Sequence, residues 1–176
     1  MKILRRTFAS LIIPLSLMSL AALGGCGAGQ SGSGSKGIPP AGEMPDSGTW
    51  LGVYYNPLFG NLHLVPTGDG VAGRWKRTDG SHWGELNGLS QGNLLKYEWT
   101  EHKIGLVGPG STTKGKGYFV YKRPPGDDVD DTIEGEWGLE DKSTGNRWDC
   151  VKQRRVVPEL KSIGGMEEPG GPTNWK

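Results

Sequence analysis

Asp127, Asp128, Asp130 and Asp131 follow Pro124-Pro125-Gly126 and make the densest cluster of charge in the chain. Oxygen ligands so close together can hold calcium, but a calcium loop also needs a mid-loop glycine and a distal bidentate glutamate at fixed spacing. Glu134 is near, yet that spacing is missing, so the expected element is a solvated acidic loop, with calcium as the weak alternative. Glu134 and Glu136 share one strand face, where paired carboxylates act as acid and base if a cleft drives their pKa values apart. They alternate with Ile133, Gly135 and Trp137, which turns them toward water. His63, His82 and His102 carry no metal-ligand spacing and are expected at the surface. Cys150 has no histidine near it in sequence and lies in phase with Trp148, which reads as a small buried hydrophobe rather than a nucleophile. No nucleophile, base and orienting group come together, so neither an enzyme nor a cofactor is expected.

Two glycine-rich segments imitate phosphate-binding motifs by letters. Gly110-Ser-Thr-Thr-Lys-Gly-Lys-Gly117 lacks the final Ser or Thr that would ligate magnesium, and Tyr118-Phe119-Val120-Tyr121 continues it as a strand. Gly68-Asp-Gly-Val-Ala-Gly73 has no helix after it either, and Asp69-Gly70 is a hairpin turn signal instead. What remains for recognition is aromatic. Tyr54, Tyr55, Trp83, Tyr118 and Tyr121 fall on both faces of their strands, so some of these rings are candidates to stack on a sugar or anchor a partner.

The elements that must position these residues are strands. Eight runs rich in β-branched and aromatic residues recur between turn signals: 50–55, 60–65, 71–78, 83–89, 94–101, 116–122, 132–139 and 147–153. No stretch has helical periodicity. Alternation puts Leu62 and Leu64 inside with His63 outside. It likewise puts Val71, Gly73 and Trp75 inside, then Leu95, Tyr97 and Trp99, then Ile133, Gly135, Trp137 and Leu139. Short connections between sequential strands predict an all-β fold, a small antiparallel eight-stranded up-and-down barrel, because closure removes exposed edges.

A Gly-x-Trp unit recurs at Gly48-Thr49-Trp50, Gly73-Arg74-Trp75 and Gly135-Glu136-Trp137, pairing a bulky inward ring with a residue that has no side chain. Residues 47–75 resemble the opening of calycin-type barrels, the lipocalins and avidins. That likeness implies a barrel and carries over no ligand.

The barrel domain is expected over 49–153, one core with no room for a second. Residues 26–48 are rich in Gly, Ser and Pro and read as a flexible tether, whose Gly/Ser half reaches about 5–6 Å × √n. Residues 154–176 read as a largely disordered tail in which Val156, Val157, Leu160, Ile163 and Trp175 offer a docking strip. Residues 1–25 have the form of an export signal: Lys2, Arg5 and Arg6, then an apolar run from Phe8 to Leu23, then small residues. The run is shorter than the ~20 apolar residues of a membrane-spanning helix.

Leu23-Gly24-Gly25-Cys26 resembles the lipobox of bacterial lipoprotein precursors. The resemblance implies cleavage before Cys26, with Leu23, Gly24 and Gly25 recognised by the peptidase. It also implies a diacylglyceryl thioether on Cys26, so that acyl chains of the palmitate type join the protein to membrane lipid. Two or more chains hold stably where one holds marginally. Gly27 in place of an aspartate favours the outer over the inner membrane of the cell envelope. Arg5-Arg6-Thr7-Phe8 also resembles a twin-arginine core, but Leu4 and Ala9 depart from it, which leaves Sec the expected export route.

Processing there changes the charge. Three of the 20 Lys and Arg leave with the signal, so 17 face 19 Asp and Glu and the formal net charge falls from +1 to −2. A basic footprint for nucleic acid is absent. With Cys26 acylated, Cys150 has no partner for an intramolecular disulfide. The expected function is that of a membrane-anchored envelope lipoprotein carrying a non-enzymatic binding module for an envelope protein, a glycan or a small apolar ligand. The alternatives are an inhibitor of a protease or lysozyme and a glycan-binding module.

Overall fold

The computed structural model describes residues 37–126 and 128–164. The lipobox residues Leu23, Gly24, Gly25 and Cys26, and Asp127 of the acidic loop, lie outside the described residues.

Eight antiparallel strands run in sequence order around one closed barrel. They are β1 (Gly52–Asn56), β2 (Gly60–Thr67), β3 (Gly70–Lys76), β4 (His82–Gln91), β5 (Leu94–Lys103), β6 (Thr112–Lys122), β7 (Thr132–Leu139) and β8 (Asn146–Lys152). Pairing of Tyr54 with Lys152 and of Tyr55 with Val151 closes β8 onto β1. The up-and-down barrel expected from alternation and short connections is the observed fold.

Rings and glycines fill the interior by turns. Trp75 on β3 stands opposite Gly84 on β4, where a β-carbon would come within 2.2 Å of the indole. Tyr97 on β5 lies over Gly117 on β6, where one would come within 2.5 Å of the phenol. Alternating small and large residues is how a narrow barrel accommodates its rings without splitting. Trp148 is the hub, edge-on to Trp75 at 5.1 Å and to Phe119 at 5.2 Å, and tilted on Phe59 at 4.4 Å. Each such pair adds roughly 0.5–1.5 kcal/mol beyond the area it buries. Cys150 sits fully buried in the same core.

Alternation misplaces Leu139 and His63. Leu139, expected inside, is half exposed at the end of β7. His63, expected outside and wet, is only 9% exposed, because the backbone of Glu159 lies on it.

Both flanks follow the barrel. Residues 37–48, read from composition as tether, lie along it. The Gly42 N–H donates to Asn93 Oδ1 at 2.7 Å and its carbonyl accepts from the Asn93 N–H at 3.1 Å, while Met44 packs on the core. Of the C-terminal segment, residues 154–164 run back along the outside of β2 to a single 3-10 turn at Leu160–Ser162. Ile163 is its buried anchor, while Val156 and Val157 of the expected docking strip face solvent.

Candidate functional site

Three places can hold a ligand or partner in a barrel: the interior, the two ends and the outer wall. The interior is occupied. Between Phe59, Trp75, Trp99, Trp137 and Trp148 lies a void of about 10 Å³, room for one water at most. A drug-sized ligand needs several hundred Å³, so a small apolar ligand has no place inside.

Each end is closed by charge. At the end carrying the β1–β2 and β3–β4 turns, Glu101 points inward from β5 and is only 7% exposed. Arg77 donates to it twice, from Nε at 2.8 Å and from Nη2 at 2.7 Å, and Trp75 Nε1 donates at 3.3 Å. The guanidinium lies 5.5 Å from the Phe59 ring centroid and plugs the mouth.

At the opposite end, where β1 begins and β8 ends, Trp50 packs edge-on to Tyr121 at 5.7 Å. Lys152 Nζ lies 5.6 Å from the Tyr54 ring and 5.5 Å from the Tyr121 ring, and donates to the Thr49 carbonyl at 3.0 Å. Burial holds that ammonium below its usual pKa, with Asp131 opposing. The Tyr121 hydroxyl donates to Asp131, and Arg123 pairs with the same carboxylate. Burial first, then Asp131, pushes the Tyr121 phenol up to about 12. The Arg123 hydrogen bonds hold Asp131 below the usual carboxylate range.

That pairing also bears on calcium. Asp131 serves Arg123, Asp130 pairs with Arg154, and Asp128 is exposed. No three candidate metal ligands converge among the described residues.

The outer wall keeps the open surfaces. One is a groove of about 710 Å³ across β4, β5 and β6, bordered by Ile38, Leu89, Leu94, Lys96 and Lys116. Leu89 is 71% exposed there. Lys116 is held by Asp141 at 3.1 Å, which raises its pKa. A second recess, of about 500 Å³, lies beneath the C-terminal segment between Tyr55, His63, Asp79 and Ile163. A third feature is convex: in the β5–β6 loop Ile104, Leu106 and Val107 all face solvent, Val107 at 97%.

The five aromatic candidates separate. Tyr54, Tyr118 and Tyr121 are buried, which removes them as contact residues. Burial raises the pKa of Tyr54 and Tyr118. Tyr55 is 41% exposed. Trp83 is half-buried, stacked on His102 at 4.3 Å and 19°, with the Arg74 guanidinium 5.7 Å from its ring. Glu134 pairs with Lys122, and Glu136 accepts from the Gly145 N–H at 3.0 Å, so the two carboxylates do not meet over a cleft.

Sequence reasoning passed over the Arg77–Glu101 plug, although Glu101 continues the inward series Leu95, Tyr97, Trp99 by one more step of two. Nothing in the pattern marks the groove at Ile38 and Leu89, which arises from the flank lying on the wall. No helix among the described residues is long and apolar enough to cross a membrane. Set against family models, curated proteins and solved structures, the chain matches none.

Proposed function

We propose that the protein is a lipid-anchored lipoprotein of the bacterial envelope whose barrel is a non-enzymatic interaction module working through its outer wall. The observation that carries the second half is the filled interior, which leaves a binding module only its exterior. The anchor rests on Leu23-Gly24-Gly25-Cys26 and the export signal before it. Gly27 favours the outer membrane as its address.

The groove bordered by Ile38, Leu89 and Lys96 is the place we assign to the partner, an envelope protein. Its apolar wall with a few charged groups at the rim is the composition expected of an interface. Two experiments test the reading. Cys26→Ser should move the protein from the membrane to the soluble fraction, and unchanged membrane association overturns the anchor. A photo-crosslinking residue at position 89 should capture a partner that one at the exposed Asp69 turn does not; equal capture, or none, overturns the groove.

A second reading, an inhibitor of a protease or lysozyme, is favoured by the loop that presents Ile104, Leu106 and Val107. A convex apolar tip suits insertion into a cleft. If Val107→Asp abolishes partner capture and Leu89→Asp does not, the loop is the contact and the inhibitor reading replaces the groove.

A further inference from the structure

We infer that residues 154–164 are a detachable strap, held on the outer wall by neutral His63 and released when His63 is protonated, uncovering the wall at His63 and Trp83. The backbone N–H of Glu159 donates to His63 Nδ1 at 3.0 Å. That bond needs a lone pair on Nδ1, so the ring that makes it is neutral and carries its proton on Nε2. An imidazolium is a donor at both nitrogens, and the same geometry would then set one N–H against another.

The surroundings add to the effect. On β1 the cross-strand neighbour of His63 is the apolar, fully buried Val53. On β3 it is Arg74, a cation opposite the ring whose own partner is Glu85 at 3.3 Å. Lys76, Arg77 and Asp79 line the recess beside it, Arg77 already being committed to Glu101. On the strap the charged groups are Arg154, Arg155, Glu159 and Lys161. Burial lowers the His63 pKa, and the Glu159 carboxylate opposes this without outweighing it.

The rest of the strap is lightly held. Ile163 is its one buried large side chain, and Arg154 pairs with Asp130 at its start. Gly164, at φ +85°, lies so close to the Trp83 ring that a β-carbon there would come within 2.3 Å of it. Segments with so few buried contacts open at a small fraction of the global unfolding free energy. Docked His63 has the lower pKa, so the open state binds more protons between the two values. Docking is therefore complete above the ordinary value of 6.5 and weakens as the pH falls below it.

Hydrogen exchange on the intact, detergent-solubilised chain tests this, with amide rates corrected for the intrinsic effect of pH. Between pH 7.5 and pH 5 the amides of Glu159 to Ile163 should lose protection severalfold, while those of Leu95 to Trp99 in β5 keep theirs. His63→Gln supplies an acceptor that does not titrate, and should hold the strap equally at both pH values. Unchanged protection in the natural chain overturns the proposal, and so does a pH step that persists in His63→Gln. If that variant fails to fold, the titration of the His63 ring in the natural chain decides by NMR: its midpoint must coincide with the loss of protection, and a mismatch overturns the assignment. Release requires no partner, so this test and that of the groove fail separately.

Discussion

Arg77 and Glu101 form a two-point ion pair, with Nε–Oε1 at 2.8 Å and Nη2–Oε2 at 2.7 Å, across the mouth of a barrel whose interior is otherwise aromatic. The Glu101 side chain is nearly sealed while that of Arg77 keeps about a quarter of its surface in water. The pair therefore does the work of a lid: it satisfies a buried charge and covers the void beneath. The residues are 24 positions apart and reach the mouth from a turn and from a strand.

Removing one partner should cost more than removing both. Arg77→Ala leaves Glu101 buried and unpaired, and breaking a buried pair costs about 3–5 kcal/mol; the partial exposure of Arg77 points to the lower end. Arg77→Met with Glu101→Leu refills the mouth with apolar volume and should recover most of that loss. Urea denaturation of both variants measures the difference. A double variant less stable than Arg77→Ala would show that the pair stabilises the end by more than cancelling its own burial.

The small-against-large filling of the core predicts which glycines tolerate a methyl group. At Gly84 a β-carbon would meet the Trp75 ring at 2.2 Å, and Trp75 is 1% exposed with nowhere to move. Gly84→Ala should cost about 1–3 kcal/mol, the range for overpacking a dense core, and more if the strand must shift. At Gly37 a β-carbon meets nothing within 4 Å, so Gly37→Ala should change thermal stability little. Equal effects at the two positions would contradict the packing.

Acid should unfold the barrel from the end where β1 begins. Asp131 is held below its ordinary pKa of 3.8 first by the Arg123 hydrogen bonds and then by that from Tyr121. Its contribution is complete above 3.8, because only there is it ionised in both states, and it is lost as the pH falls toward the lower folded value. Asp131→Asn should flatten this part of the stability profile while leaving the milder step near His63 intact. A profile unchanged below pH 4 would remove Asp131 from the account.

How much of this was legible depended on how local the cause was. Strand number, closure and the inward rings follow from alternation between near neighbours, and Leu62, Leu64, Trp75 and Tyr97 all fall where period two puts them. The ends and the wall do not, because their causes are distant in sequence. His63 is dry because Glu159 comes back from 96 positions away, and Ile38 borders a groove only because Asn93 grips Gly42. Tyr118 is the instructive failure: its strand position points it out, yet it is buried, and period two carries no information about what covers an outward ring.

Cys150 offers the most direct check on the core. Its thiol is 2% exposed beside Trp148, Ile133 lies opposite it on β7, and burial pushes its pKa well above the ordinary value, with Asp149 adding to the effect. Thiolate is scarce at such a site and the reagent has no path to it, so alkylation at pH 8 has to wait for the barrel to open. Labelling of the native protein, followed by mass spectrometry of the Cys150 peptide, should be orders of magnitude slower than in concentrated urea. Cys150→Ser places a hydroxyl among apolar groups and should cost about 1–3 kcal/mol unless it finds a carbonyl, whereas Cys150→Val keeps an apolar group there and should cost less. Rapid labelling of the folded chain would mean that the interior is accessible, and the assignment of function to the outer wall would lose its footing with it.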